Sequence, residues 1–236
     1  MKTEIYKSHL RGGADHGWLQ TFHSFSFANF FDPERMGFGA LRVLNDDSVA
    51  GGKGFGSHPH ADMEIITYPL SGALQHADSL GNKATIKAGE VQIMSAGTGM
   101  VHSEMNADPS EPVKFLQIWI TPHTKKVQPR YDQISLEQIE HKDGLQLLIA
   151  PKSENAPSWL HQDAWLYRGL LYAGQKIDYT LQNAENGVYI FVTSGALEID
   201  EHPLGSRDAI AISQTKKFEI QSLSHSEFLI IEVPLS

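Results

Sequence analysis

From residue 63 to residue 120 the chain is a succession of short apolar-rich runs separated by turn residues. The runs are MEIITYPL, ALQHAD, KATIKA and VQIMSA, with turns at Ser71-Gly72, Leu80-Gly81-Asn82 and Gly89; one more run, VKFLQIWI, ends before Pro122. Their length and even spacing predict a meander of strands in a sandwich or barrel, and helical periodicity is absent. Upstream, Phe25 and Phe27 alternate as in a strand with one face on a core, and the aromatic residues between Trp18 and Phe38 read as core packing. Asp32-Pro33 reads as a turn, and Leu41-Arg42-Val43-Leu44 as a short strand ending at Asn45-Asp46-Asp47. Residues 123–144 are polar, and Ser135-Leu136-Glu137-Gln138 has the form of a helix capping box, so this stretch is expected to be a linker with a short helix.

The second half repeats the first. Ser71-Gly72-Ala73-Leu74 recurs as Ser194-Gly195-Ala196-Leu197, Val91 to Ser95 as Ala209 to Ser213, and Phe115 to Ile118 as Phe228 to Ile231. Two tandem units follow: residues 1–122, the linker 123–144, and residues 145–236.

Composition narrows the chemistry. At 236 residues, 41% hydrophobic and 20% charged, the chain has the material for a full core. A net charge of -9 argues against direct nucleic-acid or anionic-membrane binding. No cysteine is present, which excludes disulfides, thiolate ligands and a Cys nucleophile and leaves metal binding to His and carboxylate. The opening MKTEIYKSHLRGG lacks the apolar core of a signal peptide, and no run approaches the ~18 apolar residues of a membrane span, so a soluble, cytoplasmic protein is expected.

Two pairs of donors stand out, His58 and His60 in GFGSHPHADMEI, and His102 and Glu104 in SAGTGMVHSEMN. Alternate residues of a strand point to one face, so each pair aims two donors at one point if its segment is extended. Pro59 favours that for the first pair, by disfavouring helix at His58 and removing a backbone donor. With 12 His in the chain, His-x-His arises by chance roughly 0.6 times, so context must carry the claim. His16 and His23 read as hydrogen-bonded groups or pocket lining.

The spacing Gly52-x5-His58-x-His60-x3-Glu64, with Gly72 beyond it, resembles the first cupin motif; Gly89-x5-Ser95-Ala96-Gly97 with His102-x3-Asn106 resembles the second. Ser95 stands where Pro is usual, and two extra residues precede His102. With HGWLQTFHSFSF, FDPERMGFGALRVLNDD and QHADSLGN, these strings resemble the pirin family, most densely over residues 12–122. The resemblance implies an all-β fold of two tandem cupin barrels, with one divalent transition metal held by His58, His60, His102 and Glu104 in the first barrel only. Fe(II) is the first choice, with Zn, Ni, Cu, Mn or Co as alternatives. Glu64, a ligand in many other cupins, is a competitor, placed on the strand face of His60 if that strand runs on. In the second half the repeat register sets Leu181 and Asn183 against His58 and His60, and Ile220 and Ser222 against His102 and Glu104. His225-Ser226-Glu227 then reads as a decoy. The implied activity is quercetin 2,3-dioxygenase, a flavonol or another enolic compound and O₂ being the substrates and Glu104 both ligand and base. The competing implication is a metal-bearing regulatory protein acting through a protein partner.

Overall fold

The computed structural model describes residues 1–236 and is built from strands. In the first half these are β1 (Lys2–Tyr6), β2 (Gly12–Asp15), β3 (Leu19–His23), β4 (Leu41–Val49), β5 (Gly54–His60), β6 (Glu64–Ser71), β7 (Ala73–Asp78), β8 (Lys83–Lys87), β9 (Glu90–Ser95), β10 (Met100–Asn106), β11 (Val113–Ile120) and β12 (Arg130–Ser135). The second half adds β13 (Leu145–Pro151), β14 (Ser158–Leu160), β15 (Trp165–Leu171), β16 (Lys176–Thr180), β17 (Asn186–Ser194), β18 (Leu197–Ile199), β19 (His202–Leu204), β20 (Ala209–Ser213), β21 (Lys217–Ser222) and β22 (Ser226–Pro234).

They form two all-β barrels, each a seven-stranded sheet facing a four-stranded one. The first combines β12-β9-β6-β11-β4-β3-β2 with β5-β10-β7-β8, and the second β1-β20-β17-β22-β15-β13-β14 with β16-β21-β18-β19. The two large sheets pack back to back. Ile66, Tyr68, Leu116 and Ile118 of the first meet Tyr189, Phe191, Leu229 and Ile231 of the second in one shared core. Central strands are therefore buried on both faces, which is why β17 reads as an unbroken apolar run: Tyr189 and Phe191 face the joint while Val188, Ile190 and Val192 fill the second barrel.

Each barrel takes a strand from outside its expected limits. β1, at the start of the chain, pairs with β20 of the second barrel, from Lys2 opposite Ser213 to Tyr6 opposite Ala209. β12, inside the expected linker, pairs with β9 of the first. Both cover what would be a bare sheet edge. The expected short helix is one 3-10 turn, Leu136–Gln138, and the Ser135 side chain makes no cap bond. Leu136 is drawn into the shared core instead, and Gln146 Nε2 donates to the carbonyls of Leu136 and Ile139.

The two interiors differ in kind. The second holds one continuous apolar cluster of 15 residues. In the first, a polar row crosses the large sheet from neighbour to neighbour, His23, Asn45, Gln117, Thr67 and Gln92 lying side by side on β3, β4, β11, β6 and β9. Apolar packing is confined to clusters of five and three residues on either side of it. The second barrel sets Ile230, Ile190 and Ile210 side by side on β22, β17 and β20, where the repeat has Gln117, Thr67 and Gln92.

Candidate metal centre

β5 and β10 are antiparallel neighbours in the small sheet of the first barrel, and their register sets His58 opposite His102 and His60 opposite Met100. Three imidazoles converge: the ring centroids lie 4.4 Å apart for His58 and His102, 4.8 Å for His58 and His60 and 4.9 Å for His60 and His102, and their donor atoms all fall within 4.8 Å of one another. His102 is buried, and neither of its ring nitrogens has a hydrogen-bond partner. His58 Nδ1 lies 2.8 Å from the Gly56 carbonyl oxygen; an N–H there leaves the Nε2 lone pair free. Burial, then the charges of His58, His60 and His76, push His102 down to about 3, and burial with His58 pushes His60 down to about 4. Neutral imidazoles with open lone pairs suit a divalent transition metal, and an unpartnered buried nitrogen costs about 1–3 kcal/mol until something binds it. The donor set fits a metal.

Glu104, two residues beyond His102, is buried and lines the same cavity as His58 and His60, but lies outside the compact three-His group. Gln117 Nε2 donates to Oε2 at 3.0 Å and to Oε1 at 3.3 Å, and Thr67 Oγ1 lies 3.1 Å from Oε1. These bonds hold the carboxylate on the polar row. Burial raises its pKa, with Gln117 and Thr67 opposing.

Glu64 is not a competitor. β5 ends at His60 and β6 begins at Glu64, with Asp62 in a left-handed turn (φ 49°) between, so the two residues share no strand face. Glu64 lies on the side of β6 facing the shared core, bound to Ser95 Oγ at 2.8 Å, and burial pushes it up to about 7 against the opposing effects of Ser95, His161 and Arg130.

Behind His102 lies a pair marked in the sequence only as part of a family string. His76 Nε2 is 2.9 Å from Asp78 Oδ2, both side chains fully buried, with Asp78 opposite His102 and His76 opposite Glu104 across β7 and β10. Burial alone would raise Asp78, but hydrogen bonds from His76, Asn82 and Leu80 outweigh it and hold the carboxyl below its ordinary value. His76 stacks on Tyr131 at 4.7 Å.

A cavity of about 510 Å³ opens beside the imidazoles. Phe27, Phe30, Phe55 and Trp119 supply apolar wall; His16, His23, Asn45, Asp47 and Gln117 supply polar wall. Only part of the aromatic segment is core, therefore. Phe25 enters the shared core, whereas Phe27 and Phe30 follow β3 in an irregular loop, with Ala28 at φ 49°, and face the cavity. Gly12 makes room for this loop, since a Cβ there would collide with the Phe30 ring. Nor does β4 end at Asn45: it runs through to Val49, carrying Asn45 and Asp47 on its inner face.

Sheet pairing also resets the repeat. Asn106 faces Leu74 as Ser222 faces Leu197, and His102 faces His58 as Phe218 faces Tyr179. The partners of His58, His60, His102 and Glu104 are thus Tyr179, Leu181, Phe218 and Ile220, each two residues from the expected match because the connecting turns differ in length. All four belong to the apolar cluster of the second barrel. His225 instead stacks on Tyr172, and Glu227 joins the barrels, accepting from Tyr68 of the first and Arg168 of the second.

The Pirin family profile matches residues 5–120, and the profile for the quercetinase C-terminal cupin domain matches residues 147–233. A protein of Escherichia coli K12 named quercetin 2,3-dioxygenase is 43% identical over 98% of this chain and 98% of its own. The chain belongs to the pirin family. A pirin-like protein of Caulobacter vibrioides is 39% identical to this pirin over 94% of the chain and 95% of its own. Among solved structures, the bacterial pirin YhhW of Escherichia coli in complex with nickel(II) superposes with a TM-score of 0.93 at 42% identity, covering 100% of both chains. The relatives thus carry the name of an oxidoreductase, and a metal has been seen in one of them. No helix of this pirin is long and apolar enough to cross a membrane.

Proposed function

We propose that this pirin is a cytoplasmic, metal-dependent dioxygenase that opens quercetin-type flavonols with O₂ and releases carbon monoxide. The observation that carries the reading is the convergence of three imidazoles, one buried with both nitrogens unpartnered and the other two on the wall of an aromatic-lined cavity. His58, His60, His102 and Glu104 are the four ligands of a single divalent metal, Fe(II) in the first instance, with Ni, Co, Mn, Cu or Zn as the other candidates. When bound, that metal supplies Lewis acidity to the 3-oxygen of the flavonol and a redox partner for O₂.

The chain's own contribution is orientation and proton handling. Phe27, Phe30, Phe55 and Trp119 sandwich a flat ring system and keep water from it. Glu104 takes the proton of the 3-hydroxyl at Oε2, which Gln117 alone contacts. His76, held by Asp78, packs behind His102 and fixes its ring. The test is O₂ uptake with carbon monoxide release by metal-loaded protein given quercetin, with metal content measured on the same sample. Turnover of quercetin but not of a flavone lacking the 3-hydroxyl supports the reading; no turnover by protein loaded in turn with Fe, Mn, Ni, Co and Cu sinks it.

A further inference from the structure

Most of the polar groups in the cavity wall are already engaged with one another. His23 Nδ1 is 2.9 Å from Asn45 Oδ1, Gln117 and Thr67 hold Glu104, and His58 is fixed by Gly56. Two buried groups are not. Asp47, 6% exposed on the inner face of β4, has an Oδ1 without a hydrogen-bond partner, and the Nε1–H of Trp119 has none either. A buried carboxylate oxygen left open is costly in an interior where its neighbours are satisfied, and the same opening makes it a strong acceptor for a ligand O–H. Thr21 lies directly across the strand pair from Asp47 and Phe115 on its other side, and between them the Asp47 side chain lines the cavity.

We infer that the Asp47 carboxylate accepts a hydrogen bond from a hydroxyl of the bound compound, one other than the hydroxyl that faces the imidazoles. The cavity therefore selects ring systems with at least two hydroxyl groups, polyphenols over singly hydroxylated flavones. Trp119 Nε1 complements this by offering a donor to a carbonyl or ring oxygen. Asp47 is a specificity-determining residue on this assignment, and the inference rests on the flavonol reading above.

The test is calorimetric binding without turnover. Nickel-loaded protein is titrated under anaerobic conditions at pH 8 with 3-hydroxyflavone, which has a single hydroxyl, and with quercetin, which has several. Wild type should bind quercetin at least about 10-fold more tightly, the scale of one hydrogen bond to a charged acceptor. Asp47→Leu, similarly branched and unable to accept, should bring the two affinities within about 2-fold and leave the nickel content unchanged. Equal affinity in wild type overturns the inference without any variant, so a misfolded Asp47→Leu would not protect it. A quercetin preference that survives in folded Asp47→Leu also overturns it, while the flavonol reading stands. If neither compound binds, the flavonol reading fails and this inference falls with it.

Discussion

At the scale of single residues, the His cluster is defined by what each ring lacks. His60→Ala should reduce bound metal from about one per chain to a small fraction of that, read by mass spectrometry of dialysed protein, because it removes one of three converging donors. His225→Ala should leave metal content unchanged, since that ring stacks on Tyr172 in the other barrel. Glu104→Gln keeps volume and hydrogen-bonding reach but removes charge; it should lower quercetin turnover per bound metal at least about 10-fold and weaken metal retention. An unchanged rate per metal would remove the carboxylate from proton transfer. The spacing-by-two of His58, His60, His102 and Glu104 was readable because a strand turns such spacing into a shared face. Asp47 was not. Asn45-Asp46-Asp47 reads as a turn by composition, and only the pairing of β4 with β3 and β11 shows the pleat carrying Asp47 inward and Asp46 out to Arg11.

At the scale of elements, regular alternation was sufficient where a strand has one clear partner on each side: ALQHAD and VKFLQIWI are β7 and β11 to the residue. It failed where a segment is stabilised from far away. KTEIY is too short and polar to announce a strand, and β12 gains its place only by closing the β9 edge. Glu64 sits near that edge, and its pKa gives a test. Its folded-state value is raised from 4.5 to about 7, chiefly by burial, so the stability it contributes is complete below about pH 4.5 and lost as pH rises through 7. Relative to wild type, Glu64→Gln should flatten the decline in unfolding free energy between pH 4.5 and 8, a difference on the order of 3 kcal/mol in denaturant titrations. Parallel pH profiles would mean that Glu64 ionises freely in the folded protein.

At the scale of the whole molecule, the back-to-back sheets bind two chemically different barrels into one unit. The second barrel, with Tyr179, Leu181, Phe218 and Ile220 where the first has its donors, is a solid apolar block on which the polar, cavity-bearing barrel is mounted. Denaturant unfolding should therefore be a single transition, superimposable by tryptophan fluorescence and far-ultraviolet circular dichroism. A fragment of residues 1–125 should be insoluble, as it lacks β12 and exposes Ile66, Leu116 and Ile118. Two separated transitions, or a soluble metal-binding fragment, would show the barrels to be independent. The tandem repeat was legible because its turn motif recurs intact, whereas the exchange of strands between halves was not, because pairing across the whole chain leaves no local mark. That exchange also sets an order in time. Lys2 leaves the ribosome 211 residues before its partner Ser213, so at roughly 5–20 residues per second the first strand made waits about 10–40 s for the strand beside which it will lie. The strand from Lys2 to Tyr6 is then sewn in late, and the newborn chain carries a loose β edge until Ala209 to Ser213 have been made.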